Sequence, residues 1–138
     1  MREYRAQFDW VWQTLNKKIR KLAIMLEPYL GLRYKVYSAY LIQNGSNDPV
    51  VTVLQNTIGD IVWTRDSTGY YIGTLSGAFP GDKFWATSIG DANLGDWPQI
   101  GVNPPNEDQV DIYNYDLWSP GTPLVDDTKM YIEIRVYK

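Results

Sequence analysis

The first part of the chain has the spacing of apolar residues that is typical of an amphipathic helix. No glycine or proline occurs before Pro28, and Gly31 follows soon after it. Proline cannot continue a helix and glycine commonly ends one, so these two residues form a stop signal. The pattern therefore predicts an N-terminal helix within residues 1–30.

The apolar residues of this helix form a seam with heptad spacing. Successive members are separated alternately by four and three residues, with Trp12, Ile19 and Leu26 at the a positions. Such a seam is typical of a coiled coil, and Val11 and Met25 beside it make it wider. The predicted oligomerisation residues are Phe8, Trp12, Leu15, Ile19, Leu22, Leu26 and Tyr29.

Three interpretations of the seam remain open. Self-association is favoured, although a helix docked on its own domain would show nearly the same stripe. A basic helix with Trp10 and Trp12 could also lie in a membrane interface, but no later segment resembles a membrane enzyme. Isoleucine at a with leucine at d favours two strands, whereas the wide stripe suits more than two.

The period of the pattern changes at Tyr34. From there on, runs rich in Val, Ile, Thr, Tyr and Trp alternate with turns rich in Gly, Pro, Asn and Asp. Short strands at such spacing are typical of a sandwich or barrel. The sequence predicts a mainly β protein, an antiparallel β-sandwich of about seven strands over residues 34–138, preceded by the helix. The predicted strands are residues 34–43, 50–56, 61–66, 70–75, 83–89, 109–115 and 129–137.

Two features of the β part concern its connections. The first four strands have short turns between them and are predicted to form a meander of hairpins. Residues 90–108 contain several glycines and prolines without any period. They are predicted to form a long loop, and a loop of that length is usually functional or held by a partner.

The chain contains no cysteine and no histidine. This excludes thiol nucleophiles, disulfide bonds, zinc sites built on Cys or His, and Ser-His-Asp triads. Carboxylates remain as candidate catalytic groups, but the acidic residues lie mainly in turns, where turn chemistry explains them. No glycine-rich phosphate-binding motif occurs. We therefore expect no enzymatic activity, no cofactor and no metal site.

Charge is divided unevenly between the two parts of the chain. Residues 1–33 carry seven basic and three acidic residues, a net charge of +4, whereas residues 34–138 carry six basic and thirteen acidic residues, a net charge of −7. The acidic β part would repel phosphates, so nucleic acid is not an expected partner. No apolar run has the length that a membrane span needs, so no membrane partner is expected.

Aromatic residues make up 14% of the chain, and they are favoured in strands and at interfaces. Trp63 and Trp85 fall inside predicted strands and are expected in the core. Other rings lie in or beside the loop-rich second half, where they could stack on a sugar or anchor a protein. The candidate ligand or partner contacts are Trp97, Tyr113, Tyr115 and Trp118. They give the alternative function of a carbohydrate-binding module.

The first half of the β part resembles a module of small phage proteins. The shared elements, all within residues 34–85, are the opening YKVY, the hairpin VLQNTIG, the strand VWTR and the strand and turn GYYIGTLSGAF. The module is similar to one in small β-sandwich virion structural proteins of tailed phages that infect Bacteroidetes, including crAss-like phages. The resemblance implies a head fibre, a capsid decoration or a tail-associated protein, commonly trimeric, without catalytic residues.

The residue pattern and the resemblance lead to one leading hypothesis. We expect a non-enzymatic structural protein of the virion, with copies of itself and other virion proteins as partners. Its N-terminal helix would assemble it, most simply as a homotrimer. In the alternative, the exposed rings would bind a glycan of the host surface.

Overall fold

The computed structural model describes residues 2–26, 33–91, 94–102, 106–121 and 123–138. The chain divides into two compact units, Met1–Arg33 and Tyr34–Lys138. The first unit contains a helix, and the second is built from strands.

The helix, α1, spans Arg2–Leu26. It is rich in Ala, Leu, Lys, Arg and Gln, which are good helix formers, and it ends two residues before Pro28. The predicted N-terminal helix is confirmed. Tyr29, the last predicted member of the seam, lies outside the described residues, as does the side chain of Leu26.

Within the described residues, the second unit has eight strands, and every paired strand is antiparallel to its neighbour. They are β1 (Tyr34–Gln43), β2 (Val50–Asn56), β3 (Val62–Ser67), β4 (Tyr70–Thr74), β5 (Phe84–Gly90), β6 (Asp96–Val102), β7 (Gln109–Asp116) and β8 (Thr128–Tyr137). Sheet 1 has the order β2-β1-β8-β5, and sheet 2 has the order β3-β4-β7-β6. The predicted fold class, an antiparallel β-sandwich preceded by a helix, is confirmed.

The core lies between the inner faces of the two sheets. Along β8, Met130, Ile132 and Ile134 are buried and Tyr131 is exposed. This is the alternation expected of a strand with one face toward the core. The buried apolar residues are Tyr37, Ala39, Leu41, Trp63, Tyr71, Phe79, Val110, Ile112, Met130, Ile132 and Ile134.

Two hydrogen bonds join the sheets through this core. The indole N–H of Trp63 in sheet 2 donates to the hydroxyl of Tyr37 in sheet 1 at 3.2 Å. The hydroxyl of Tyr71 in sheet 2 donates to Oε1 of Gln43 in sheet 1 at 3.1 Å. A buried indole N–H or hydroxyl is costly when unpaired, so these bonds favour one alignment of the two sheets.

The segment predicted as a loop over residues 90–108 contains a strand, β6, and the prediction is wrong there. Pro98 and Gly101 concealed the strand, because proline lacks the N–H that a central strand must donate. The structure places β6 at the edge of sheet 2, where that donor is not needed. It pairs with β7 in unbroken register from Asp96 to Val102.

The predicted meander is interrupted between β2 and β3. The pairs β1–β2 and β3–β4 are hairpins, but β2 and β3 belong to different sheets. The turn between them is held by Asn56, whose Oδ1 accepts hydrogen bonds from the N–H groups of Ile58 at 3.1 Å and Gly59 at 3.0 Å. The sequence correctly marks a reversal here, whereas packing decides that the chain crosses to the other sheet.

Candidate functional site

The seam of α1 is exposed in the single chain. Five of its predicted members have described side chains, and each of these is between 46% and 70% exposed. They are Phe8, Trp12, Leu15, Ile19 and Leu22. An apolar stripe of this length in contact with water marks an interaction surface, because soluble helices normally bury such a stripe.

A second candidate site lies on the outer face of sheet 2. Trp97 in β6 and Tyr115 in β7 are directly opposite each other, and their ring centroids are 6.2 Å apart. Two residues along β7, Tyr113 lies between Gln99 of β6 and Tyr70 of β4. The rings of Tyr113 and Tyr70 are stacked, with centroids 4.6 Å apart and planes at 5°. Two cross-strand ring pairs thus lie side by side on this face.

Trp118 lies in the turn that follows β7, next to the start of β6 in space. Its indole lies against Gly95, because a Cβ added to Gly95 would be only 2.8 Å from Cδ2 and 3.1 Å from Cε2 of the ring. The N–H of Leu117 donates to the carbonyl of Gly95 at 3.0 Å, which joins this turn to the start of β6. Trp118 is nevertheless 68% exposed. The indole is therefore held on one side and open to solvent on the other.

Asp116 fixes the backbone of this turn. Its Oδ1 accepts the N–H of Trp118 at 2.8 Å, and its Oδ2 accepts the hydroxyl of Ser119. The Ser119 hydroxyl, followed by the Trp118 N–H, lowers the pKa of Asp116 from its ordinary value. The carboxylate therefore stays ionised at neutral pH and keeps both hydrogen bonds.

Asp96 anchors the start of β6, next to Trp97. Its Oδ1 accepts the Nδ2 amide of Asn114 at 3.2 Å, and its Oδ2 accepts the hydroxyl of Thr128 at 2.8 Å. Asn114 and Thr128 are both fully buried. Because Asp96 is tied to β7 and to β8 of the opposite sheet, the backbone that carries Trp97 is fixed before any ligand arrives.

A buried carboxylate lies on the same face of sheet 2 as the rings. Asp111 is almost fully buried, and it accepts the Nε2 amide of Gln109 at 2.6 Å. Burial raises the pKa of Tyr70 well above its ordinary value, and the Tyr113 hydroxyl and the Asp111 carboxylate raise it further. Tyr70 is therefore a neutral hydroxyl across the physiological range.

We use the term aromatic surface for Trp97, Tyr115, Tyr113, Tyr70 and Trp118 together. Rings, tyrosine hydroxyls and the amide of Gln99 are the groups that this surface offers. Rings supply stacking area, and neutral hydroxyls and amides supply hydrogen bonds of fixed direction. Such a surface suits an uncharged, polyhydroxylated ligand or the side chains of a protein.

Of the four predicted contact residues, the structure brings Trp97, Tyr113 and Tyr115 together on one face of sheet 2 and places Trp118 in the turn after β7. The sequence did not identify Tyr70 and Gln99, because their proximity to Tyr113 depends on the pairing of β4 and β6 with β7. The repeated tyrosines at positions 70 and 71 were the available signal, since adjacent strand residues point to opposite faces.

Trp63 is buried as predicted, but the prediction that Trp85 lies in the core is wrong. Trp85 is 43% exposed and lies on the outer face of sheet 1, opposite Arg135. The guanidinium carbon of Arg135 is 4.9 Å from the centroid of the Trp85 ring. Phe84, the residue before it, packs on the core instead, at 6.0 Å from Phe79 and at right angles to it.

Two general features of the described residues bear on function. Among them, no group of three or more Asp or Glu side chains is arranged so that it could hold a metal ion. No helix within the described part of the chain is both long enough and apolar enough to cross a membrane.

Comparisons of the chain with protein-family models, with curated proteins and with solved structures give no match.

Proposed function

We propose that this protein is a non-enzymatic structural component of a phage virion that assembles as a homotrimer through its N-terminal helix. The exposed seam of α1 is the observation that carries the proposal. The resemblance of residues 34–85 to a module of small virion proteins supports the class: a head fibre, a capsid decoration or a tail-associated protein.

The arrangement of charge on α1 supports self-association. If Trp12 and Ile19 occupy a positions, then Lys17, Arg20 and Lys21 occupy f, b and c positions, which face away from a coiled-coil seam. The fourth cation of the cluster, Lys18, occupies a g position beside the seam. Copies can therefore meet along the seam without bringing three of these four cations together. Full burial of a side chain such as leucine or isoleucine gains about 1.5–3 kcal/mol, and several seam residues would be buried together.

Light scattering after size-exclusion chromatography tests the proposal. The expected mass is about three times the 15.9 kDa of one chain. The variant Ile19→Asn/Leu22→Asn should be monomeric, because it places two amides in the seam. The matched control Arg20→Asn/Lys21→Asn changes the two residues between them and should remain an oligomer. A wild-type chain that is monomeric at micromolar concentration would overturn the proposal.

A second candidate function, glycan binding, is favoured by one specific observation. Trp118 lies against Gly95 and is 68% exposed, and Gly95 is two residues before Trp97, whose ring pairs with that of Tyr115. A pre-positioned ring loses little conformational freedom on binding, and this suits it to stacking on a sugar. The two functions are compatible, because a fibre on the virion can also contact the host surface.

Binding to an array of host-type glycans tests this second candidate. Trp118→Ala and Trp97→Ala should each weaken binding by about tenfold or more. Trp10→Ala is the control, because Trp10 is an exposed tryptophan of the helix that lies outside the seam. Glycan signals that are equal for wild type and both surface variants would remove the candidate.

A further inference from the structure

The outer face of sheet 1 has an apolar centre that is open to solvent. One row across the four strands consists of Thr52, Tyr40, Tyr131 and Ile89, in that order. The rings of Tyr40 and Tyr131 are in contact, with centroids 4.6 Å apart. Tyr131 and Ile89 are exposed, and the adjacent row consists of Val50, Ile42 and Lys129, with Val50 and Lys129 exposed. Contiguous exposed apolar side chains of this kind mark an interaction surface.

Beside this centre lies a cluster built around Arg135. Its guanidinium carbon is 4.8 Å from the ring centroid of Tyr34 and 4.9 Å from that of Trp85. A nitrogen of the same guanidinium is 2.6 Å from the carboxylate of Glu133. Trp, Tyr and Arg are the residues most enriched among binding hot spots. Because Glu133 already neutralises Arg135, the cluster offers contact area without demanding a charged partner.

Charge is also distributed so that this face stands apart from the rest of the β unit. Glu133 is the single acidic residue in the four strands of sheet 1, all of whose residues the structure describes. The other twelve acidic residues of the β unit lie in sheet 2 or in the connections. Two copies that approach through sheet 1 therefore avoid most of the repulsion between two acidic units.

We infer that the outer face of sheet 1 packs against the same faces of the neighbouring copies of this chain, around the symmetry axis of the oligomer that the helix forms. This inference rests on the proposed function. The occupant is a second copy because this face carries little of the acidic charge of the β unit, so that two such faces can meet without strong repulsion. Association of the helices would hold the β units of different copies at high effective concentration.

The size of the face fits a contact that depends on the helix. Four strands about 4.8 Å apart and about eight residues long at about 3.3 Å per residue cover roughly 500 Å². A stable complex usually buries about 800 Å² on each partner. The face alone is therefore too small for a tight dimer, and it becomes an interface when the helix has already brought the copies together.

Thiol labelling tests this inference, because the chain has no cysteine of its own. Ile89→Cys places one thiol on the outer face of edge strand β5 of sheet 1. Val62→Cys places one on the outer face of edge strand β3 of sheet 2, and the two native side chains are 66% and 63% exposed. In the full-length oligomer, a maleimide should modify the thiol at position 89 at least about tenfold more slowly than in the monomeric Ile19→Asn/Leu22→Asn background. The thiol at position 62 should react at the same rate in both backgrounds.

Light scattering on the same samples separates the two proposals. An oligomer in which position 89 is labelled as fast as in the monomer overturns the inference and leaves the role of the helix intact. A seam variant that remains an oligomer with position 89 protected supports the sheet contact and overturns the role of the helix. A wild-type chain that is monomeric overturns both.

Discussion

The indole of Trp118 lies against the backbone of Gly95, at a distance that leaves no room for a side chain. Gly95 also has a positive φ of 73°, which glycine adopts without strain. Two requirements for glycine, one conformational and one steric, therefore coincide at the point where the most exposed ring of the aromatic surface is held.

We expect Gly95→Ala to reduce glycan binding as strongly as Trp118→Ala, although the indole is still present. A Cβ at position 95 would displace the Trp118 ring from its position against the backbone. The matched control is Gly77→Ala, because Gly77 has a φ of 64° and no heavy atom within 4 Å of the added carbon. Both substitutions carry the same backbone strain of about 1 kcal/mol, so only the first should change binding and the tryptophan emission spectrum of the protein. Equal loss of binding in both variants would assign the effect to strain.

The ion pair of Arg65 and Asp126 should make the free energy of unfolding depend on pH in the acidic range. Arg65 binds both carboxylate oxygens, at 3.1 Å from Nε and 2.8 Å from the terminal nitrogen, and the N–H of Gly69 donates to Oδ1 at 3.0 Å. The hydrogen bond from Arg65 is the largest cause that lowers the pKa of Asp126. A carboxyl group whose pKa is lower in the folded state than in the unfolded state stabilises the fold. This stabilisation is fully present above the ordinary carboxyl pKa of about 3.9, and it is lost as the pH falls through the lowered pKa of the folded state.

Urea unfolding at several pH values measures this contribution. Asp126→Asn should lower the free energy of unfolding at pH 7, and the decrease relative to wild type should shrink as the pH falls from about 5 to about 2. Asp66→Asn, which changes an exposed carboxylate beside Arg65 in the chain, should follow the wild-type curve. A constant difference between Asp126→Asn and wild type across this range would contradict the assignment.

Gly73 leaves room for the side chains of its two cross-strand neighbours in sheet 2, Trp63 and Val110. A Cβ at this position would be 2.8 Å from Cη2 of Trp63 and 2.9 Å from Cγ2 of Val110. Gly73→Ala should destabilise the protein by about 1–3 kcal/mol, because the Trp63 ring would have to leave its position in the core. Gly101→Ala, also within a strand but with no heavy atom within 4 Å, should change stability by less than about 0.5 kcal/mol. Thermal unfolding of the two variants distinguishes these outcomes.

Gln43 is a buried amide that joins three parts of the β unit. Its Nε2 donates to the carbonyl of Gly45 at 2.7 Å, and its Oε1 accepts the N–H of Asp127 at 2.9 Å and the hydroxyl of Tyr71 at 3.1 Å. Gln43→Leu would remove these hydrogen bonds at a fully buried position, at an expected cost of about 1–3 kcal/mol. Gln55→Leu changes an exposed glutamine and should be nearly neutral. Chemical denaturation that gives similar stabilities for the two variants would disprove the role of Gln43.

Local patterns predicted most of the elements. The heptad spacing of α1 depends only on neighbours three and four residues away, so the sequence contains the whole signal. Seven strands were predicted to within about two residues at each end, because alternation and turn residues are also local. The eighth, β6, was missed because Pro98 argues against a strand unless the strand lies at a sheet edge, and edge position is not a local property.

The candidate site was predicted only in part. Trp97 and Trp118 stand out because each lies next to a turn signal, and Tyr113 and Tyr115 share one face of a strand by alternation alone. Tyr70 and Gln99 join them through pairing between strands that are distant in the chain. The supports of the site, Gly95 beneath Trp118 and Asp96 bound to Thr128, likewise involve partners far apart in sequence.

The sequence by itself determined the periods: a heptad seam in the first 26 residues, alternating strands after Tyr34, and a change of charge between them. The tertiary structure decided which face of each strand lies toward the core. Strand β5 shows the reason, because Phe84 and Trp85 are equally suited to burial by composition. The pairing of Trp85 with Arg135 places Trp85 on the outer face. Alternation along a strand defines two faces of that strand. Only the register in which the strand pairs with a distant strand decides which of the two faces is buried.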